Sequence, residues 1–287
     1  MSKRNSIDAN TTLDYVHLTI SDLKRALPFY QKVLGLQLNR RQNGTAYLGA
    51  GGEDIVALTE NPGAKRARRA TGLYHFAILV PSRFALAQSL KRIVEQQVPV
   101  QGFADHLVSE AIYLPDPDGN GIEIYRDRPR EEWYDAQNNF LIGTEPLDIN
   151  NLLAELEGQD QPWQGLEPAT KLGHMHLHVA NIAAAEKFYL DVLGFDLMAR
   201  YGPSASFTSA GGYHHHIAFN TWAGIGAPPP PPDSIGLREY VVRLPNSDAL
   251  NQVVDRVHHA GISSAETEAG LRVRDPSQNA IILSATK

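Results

Sequence analysis

Three histidines set two residues apart, His174, His176 and His178 in LGHMHLHVA, open the second half of a chain that contains no cysteine. In an extended strand successive side chains point to opposite faces, so these imidazoles share one face while Met175, Leu177 and Val179 share the other. Without thiolates, any metal here must be held by nitrogen and oxygen. A row of imidazoles can also transfer a proton or stabilise an oxygen anion. Further donors stand at His75 in LYHFAILV, at Glu123 in GIEIY and in the run His214-His215-His216. Glu123 interrupts an apolar stretch, where a buried carboxylate is costly without a cation or a hydrogen-bonding partner. Strand alternation would turn His215 one way and His214 and His216 the other. His215 then reads as a fourth ligand, an acid/base residue or a structural one. Tyr113 and Tyr125 are pocket phenols or core residues. Taken alone, a histidine that begins a strand is more often hydrogen-bonded structure than a ligand.

These residues need elements to hold them, and the chain supplies the same elements twice. Leu13–Leu38 and Leu172–Leu197 agree at a fixed offset of 159 residues. His17, Leu18, Phe29, Tyr30, Val33, Leu34 and Gly35 recur as His176, Leu177, Phe188, Tyr189, Val192, Leu193 and Gly194. Each copy is an alternating strand followed by helical spacing that Gly35 or Gly194 closes, and Asn181 is placed to cap the second helix. Asp116-Pro117 and Asp275-Pro276 keep the same offset, so the duplication reaches almost to the end. Each half reads βαβββ followed by βαβββ. In the first, 45–49 and 54–58 form a hairpin, 73–80 a strand, 83–96 a helix and 121–125 the last strand. In the second, 205–209 and 214–220 form the hairpin, 236–242 a strand, 248–259 a helix and 281–283 the last strand. Gly51-Gly52 and Gly211-Gly212 precede no helix and read as turns rather than phosphate loops. This gives an N-terminal module over 1–127, a linker over 128–171 with a short helix near 150–156, and a C-terminal module over 172–287. The prolines of AGIGAPPPPPD favour polyproline II in an exposed loop, either a lid or a spacer.

Composition narrows the function. The chain has 287 residues, 43% hydrophobic and 20% charged, with a net charge of −6. That balance gives no electrostatic footprint for nucleic acid. The basic run at Lys65–Arg69 reads as a solvated loop. No apolar stretch approaches a membrane span and the polar N-terminus lacks a signal-peptide core, so a cytoplasmic location is expected.

The duplicated βαβββ order, the FYxxVLG helix signature and the turn DPDGNGIEIY resemble the vicinal oxygen chelate superfamily, which includes glyoxalase I, extradiol dioxygenases and bleomycin-resistance proteins. The segment RYGPSASFTSAGGYHHHIAFNTWAG looks like its two-module catechol-2,3-dioxygenase-like group. The resemblance implies an α+β fold of four βαβββ units forming two cupped, mixed eight-stranded sheets with helices on their outer faces. It also implies metal ligands on the first, fourth, fifth and eighth strands of a cup. The matching positions are Tyr15 and His174, then Ala57 and His215 or Ile217, then His75 and Glu239, then Glu123 and Ile282. If the second and third units share one cup, His75, Glu123 and His174 complete a two-histidine, one-carboxylate set, with His215 a further candidate ligand. Tyr15, Glu239 and Ile282 would be a degenerate counterpart. On this likeness the protein is an Fe(II)-dependent extradiol-type dioxygenase acting on catechol or a small relative with O2, with zinc, nickel or manganese as other ions. His176, His178, His215 and Tyr125 are then its candidate catalytic side chains. A glyoxalase-like isomerase or lyase using zinc or nickel through four ligands, and a metal-free binding or resistance protein, are the alternatives. A homo-oligomer is compatible with the likeness.

Overall fold

All four units start the same way, with a strand whose end is capped into a helix by a short polar side chain. Asp22 accepts from the amides of Lys24 and Arg25, Ser82 from Ala85, Asn181 from Ala184 and Asn246 from Ala249. Each cap satisfies amide groups that the first helical turn leaves unpaired. The structure is a computed structural model and describes residues 6–159 and 162–286.

The first unit comprises β1 (Thr12–Ile20), α1 (Leu23–Pro28), β2 (Gln37–Gln42), β3 (Thr45–Gly49) and β4 (Asp54–Glu60). The second comprises β5 (Gly72–Leu79), α2 (Arg83–Glu95), β6 (Gly102–Asp105), β7 (Ser109–Pro115) and β8 (Gly121–Asp127). A 3-10 turn at Arg130–Trp133 and α3 (Ile149–Ala154) follow. The third unit holds β9 (Lys171–His178), α4 (Ile182–Glu186), β10 (Asp196–Tyr201), β11 (Ala205–Ser209) and β12 (Ile217–Asn220). The fourth holds β13 (Gly236–Leu244), α5 (Ser247–His259), β14 (Ser264–Thr267), β15 (Gly270–Arg274) and β16 (Ala280–Ala285).

The strands form two mixed eight-stranded sheets, ordered β14-β15-β16-β13-β1-β4-β3-β2 and β10-β11-β12-β9-β5-β8-β7-β6. The first and fourth units thus share one sheet, and the second and third share the other. No helix among the described residues is long and apolar enough to cross a membrane.

By packing, the chain falls into two compact units. Of the described residues, one contains 6–21, 61–74 and 173–286, the other 22–60, 75–159 and 162–172. The latter buries Phe76, Ile78, Leu86, Leu90, Ile122 and Ile124, and its Tyr30 hydroxyl donates to Asp116 Oδ2 at 2.9 Å. The former buries Leu177, Phe219 and Tyr240, and its Tyr189 hydroxyl donates to Asp275 Oδ2 at 3.0 Å. Each aspartate also accepts from the amides two and four residues on, closing the turn that launches the last strand. The repeated FY and DP motifs are therefore two ends of one lock. Burial pushes the carboxyls of Asp116 and Asp275 above their ordinary range, against the hydrogen bonds from Asn120, Asn279 and the tyrosines.

Two expectations are corrected. The helices after β1 and β9 do not run through in α form. Phe29–Val33 and Lys187–Val192 widen into π turns, closed by Leu34 N to Phe29 O and Leu193 N to Phe188 O. Pro28 lacks an N–H to continue an α ladder, but the second copy widens without a proline, so proline is not the common cause. The strand expected over 214–220 begins only at Ile217. Gly211 and Gly212 take positive φ of 61° and 66°, and a Cβ on Gly211 would meet Ala9 O at 2.4 Å, so the chain turns there and His214–His216 follow as a loop. Strict alternation of these three histidines does not apply.

Candidate metal centre

β5 and β8 pair in parallel, with His75 opposite Gly121 and Ala77 opposite Glu123, while β7 sets Tyr113 opposite Glu123 and Ala111 opposite Tyr125. One face of this sheet segment therefore carries His75, Ala77, Ala111, Tyr113, Glu123 and Tyr125. The alanines leave room above the strands. His75 Nε2 and Glu123 Oε2 lie 3.0 Å apart, both buried. Two donors roughly 2.1 Å from one ion and at right angles to it stand about 3.0 Å apart, so the pair has the spacing of neighbouring ligands. Beside it the Tyr113 ring lies 5.5 Å from His75, and its hydroxyl is 2.7 Å from His106 Nε2. His106 Nδ1 in turn sits 2.8 Å from the Gly143 carbonyl, which can only accept. Nδ1 therefore carries the proton, Nε2 of the neutral ring accepts, and the Tyr113 hydroxyl donates to it. Tyr125 is fully buried against Ala77 and Ala111.

His174 lies on β9, buried, with the His215 ring 4.0 Å and the His214 ring 6.0 Å away. The Nδ1 atoms of His214 and His215 are 2.8 Å apart, so one of them donates to the other. Farther along β9, Asn220 spans two histidines. The Trp222 amide, which can only donate, bonds Asn220 Oδ1 at 3.0 Å and so fixes the orientation of the side-chain amide. His178 Nδ1, 2.8 Å from the same oxygen, must then donate, and His176 Nε2 accepts from Asn220 Nδ2 at 2.9 Å. His176 is thereby held neutral with its proton on Nδ1.

Among the described residues one set of donors suits a metal ion. One ligand atom from each of His75, Glu123 and His174 lies within 4.8 Å of the other two, and all three side chains are buried. Two imidazole nitrogens and one carboxylate form the donor set of sites that leave coordination positions open. His215 is not within that set.

Residues 12–124 and 171–283 both match the Glyoxalase/Bleomycin resistance protein/Dioxygenase superfamily. The chain belongs to this superfamily. Among its relatives, a catechol-2,3-dioxygenase of Bacillus subtilis (strain 168) is 48% identical over 282 residues, 96% of this chain and 98% of that protein. A probable lactoylglutathione lyase of Vibrio cholerae is 27% identical over 133 residues, 42% of this chain and 94% of that protein. A solved putative dioxygenase from Bacillus subtilis superposes with a TM-score of 0.66, covering 98% of this chain and 86% of that one at 15% identity, a likeness of fold.

The other sheet shows what the superfamily architecture becomes without these donors. Ile282 lies opposite Val241 and Arg272 opposite Ile282, which makes Glu239, Ile282 and Arg272 the register counterparts of His75, Glu123 and Tyr113. Arg272 Nε donates to Glu239 Oε2 at 2.9 Å, and His17 Nδ1 stands 3.6 Å from Oε1. Burial raises the Glu239 carboxyl, but His17 and Arg272 outweigh it and hold it below the ordinary range. A guanidinium thus neutralises this carboxylate, and Tyr15 and Ile282 complete no ligand set. Reading the sequence missed the partners of the site residues: His106, Asn220 and Arg272. Arg272 alone left a signal, as a cation in the alternating strand LRVR.

Proposed function

We propose that the protein is an extradiol-type ring-cleaving dioxygenase acting on catechol or a related small aromatic diol with O2, and that His75, Glu123 and His174 hold an Fe(II) ion. The observation that carries this reading is the buried His–Glu–His set within 4.8 Å, in a chain 48% identical to a catechol-2,3-dioxygenase over nearly its whole length. An Fe(II) ion held by His75, Glu123 and His174 would supply open coordination positions for the diol oxygens and a redox-active centre for chemistry with O2.

The remaining work falls to the chain's own side chains. His215, packed on His174 and tied through Nδ1 to His214, has its Nε2 to take a proton from a substrate hydroxyl and return it. Its loop setting allows this orientation, which a place in β12 would have fixed by alternation. Tyr113, its hydroxyl committed to His106, holds the substrate's position beside His75. His176 and His178, locked by Asn220, shape the face and present defined tautomers. Tyr125, closed in by Ala77 and Ala111, stands two residues beyond Glu123 on the same face of β8 and walls the site there. A four-ligand isomerase would need a fourth protein donor in the set, which has three.

The test is an anaerobic reconstitution with Fe(II), followed by addition of catechol in air. A yellow ring-opened product with uptake of one O2 per catechol is expected. Its absence with iron, combined with turnover of a hemithioacetal by the zinc or nickel form, would establish the isomerase instead.

A further inference from the structure

The segment before β1 is fastened to the second half of the chain. Ile7 is buried and donates its N–H to Gly194 O at 2.7 Å, and the Ser6 hydroxyl donates to Asp196 Oδ1 at 3.3 Å. Asp8 then turns the strap: its carboxylate accepts from the Asn10 amide at 2.8 Å and its carbonyl from the Thr11 amide at 3.0 Å. Ile7 and Thr11, 4% and 2% exposed, pin the turn at its two ends and hold Ala9 between them against Gly211. A Cβ on Gly211 would lie 2.4 Å from Ala9 O and 3.2 Å from Ala9 Cβ, so the two backbones touch. From there the chain runs as a loop through His214, His215 and His216, its base closed by His216 N to Thr208 O and Met175 N to His216 O.

The duplicate supplies a control. At the offset of 159 residues, Leu166 N bonds Gly35 O at 3.0 Å and Thr170 N bonds Glu167 O at 2.9 Å, so the same strap is present. There a Cβ on Gly52 would stand 4.0 Å from Pro168 O, an ordinary contact, and the chain re-enters β4 at Asp54. Where the strap presses on Gly211, β12 starts only at Ile217, and the three histidines are kept out of the strand. Resting on the reading of His215 as the group that moves the substrate proton, we propose that Ile7 and Ala9 are positioning residues: the strap 6–11 holds the histidine loop open and so sets the His215 ring 4.0 Å from His174.

The experiment compares Ile7→Ala, which unseats the strap away from the loop, with Ile7→Val, which keeps its anchor. Gly211→Asn opens the same contact from the loop side, because asparagine tolerates positive φ while its Cβ meets Ala9, and it stands in should Ile7→Ala not fold. Hydrogen–deuterium exchange follows the amides of 210–216, and steady-state oxygen uptake with catechol follows the iron-loaded enzyme. I7A and G211N should each exchange these amides about tenfold faster and lower kcat about tenfold at unchanged KM and iron content, the cost of misplacing one catalytic group. I7V should stay within about twofold of wild type, since it removes a single methyl group. The double variant should be no worse than the stronger single one, because both open one contact. Variants that leave either quantity unchanged, or effects that multiply in the double variant, overturn the proposal. Should the wild type cleave no diol, the reading of the site fails separately, and exchange decides this one. Faster exchange confined to 210–216 supports the strap; unchanged or uniformly faster exchange sinks it.

Discussion

The electrostatics around Glu123 differ from those around Glu239, although the two sheets grew from one duplicated plan. Glu239 is neutralised inside the chain by Arg272 and His17. Glu123 has two imidazoles within ligand range, and its cross-strand neighbour is a tyrosine where the other sheet has an arginine. That exchange of Tyr113 for Arg272 is what lets one sheet be read as a metal site and the other not. His215 supplies the prediction at this scale. Replacing it with Gln should leave metal content intact and lower kcat by about 10²–10⁴, the usual worth of a positioned acid/base group; the two are read from metal analysis and steady-state oxygen uptake. Loss of the metal itself would make His215 a ligand.

At the scale of elements, the Tyr30–Asp116 and Tyr189–Asp275 locks join the helix that opens one unit to the turn that launches the last strand of the next. Tyr189→Phe would leave Asp275 Oδ2 short of a donor in a fully buried setting, a loss of about 1–3 kcal/mol. Urea unfolding should show this as a lower midpoint, and Y30F should behave alike. Much of this layer could be read in advance. The alternation of HMHLH, the Asn181 cap and the repeated DP turns are local signals, and local signals decide strands and helix starts. Likeness to a known fold left open whether the second and third units share one sheet, and the strand order has them do so. What escaped depends on nonlocal contact. The π turns leave no periodicity of their own, and the loop at His214–His216 is set by Gly211 meeting the backbone of Ala9. The direction of the bond between His106 and Tyr113 is set by a loop carbonyl at Gly143 that fixes the tautomer.

Across the whole molecule, buried carboxylates pull stability in opposite directions as pH changes. Burial raises Glu110, but Arg83 and Arg126 outweigh it and hold the carboxyl below its usual range. Its contribution is therefore present above the unfolded-state value of about 4.3 and is lost as pH falls through the lowered folded value. Asp116 and Asp275, raised by burial, contribute fully below about 3.9 and lose that contribution as pH rises through their folded values. Glu110→Gln should accordingly be less stable than wild type near pH 7 and flatten the decline of unfolding free energy below about pH 4.5. Chemical denaturation across that range checks it, and an unchanged slope would show that the arginine cluster does not govern acid sensitivity.

The central claim is that His75, Glu123 and His174 bind one cation together. Metal analysis of anaerobically purified protein, wild type beside Glu123→Ala and His174→Ala, tests it most directly. One equivalent of a divalent transition metal per chain is predicted in the wild type, with affinity weakened more than about 100-fold in each variant, since removing even a residue that only orients a ligand costs 10–100-fold. A wild-type protein that binds no metal on reconstitution, or variants that retain a full equivalent, would contradict it.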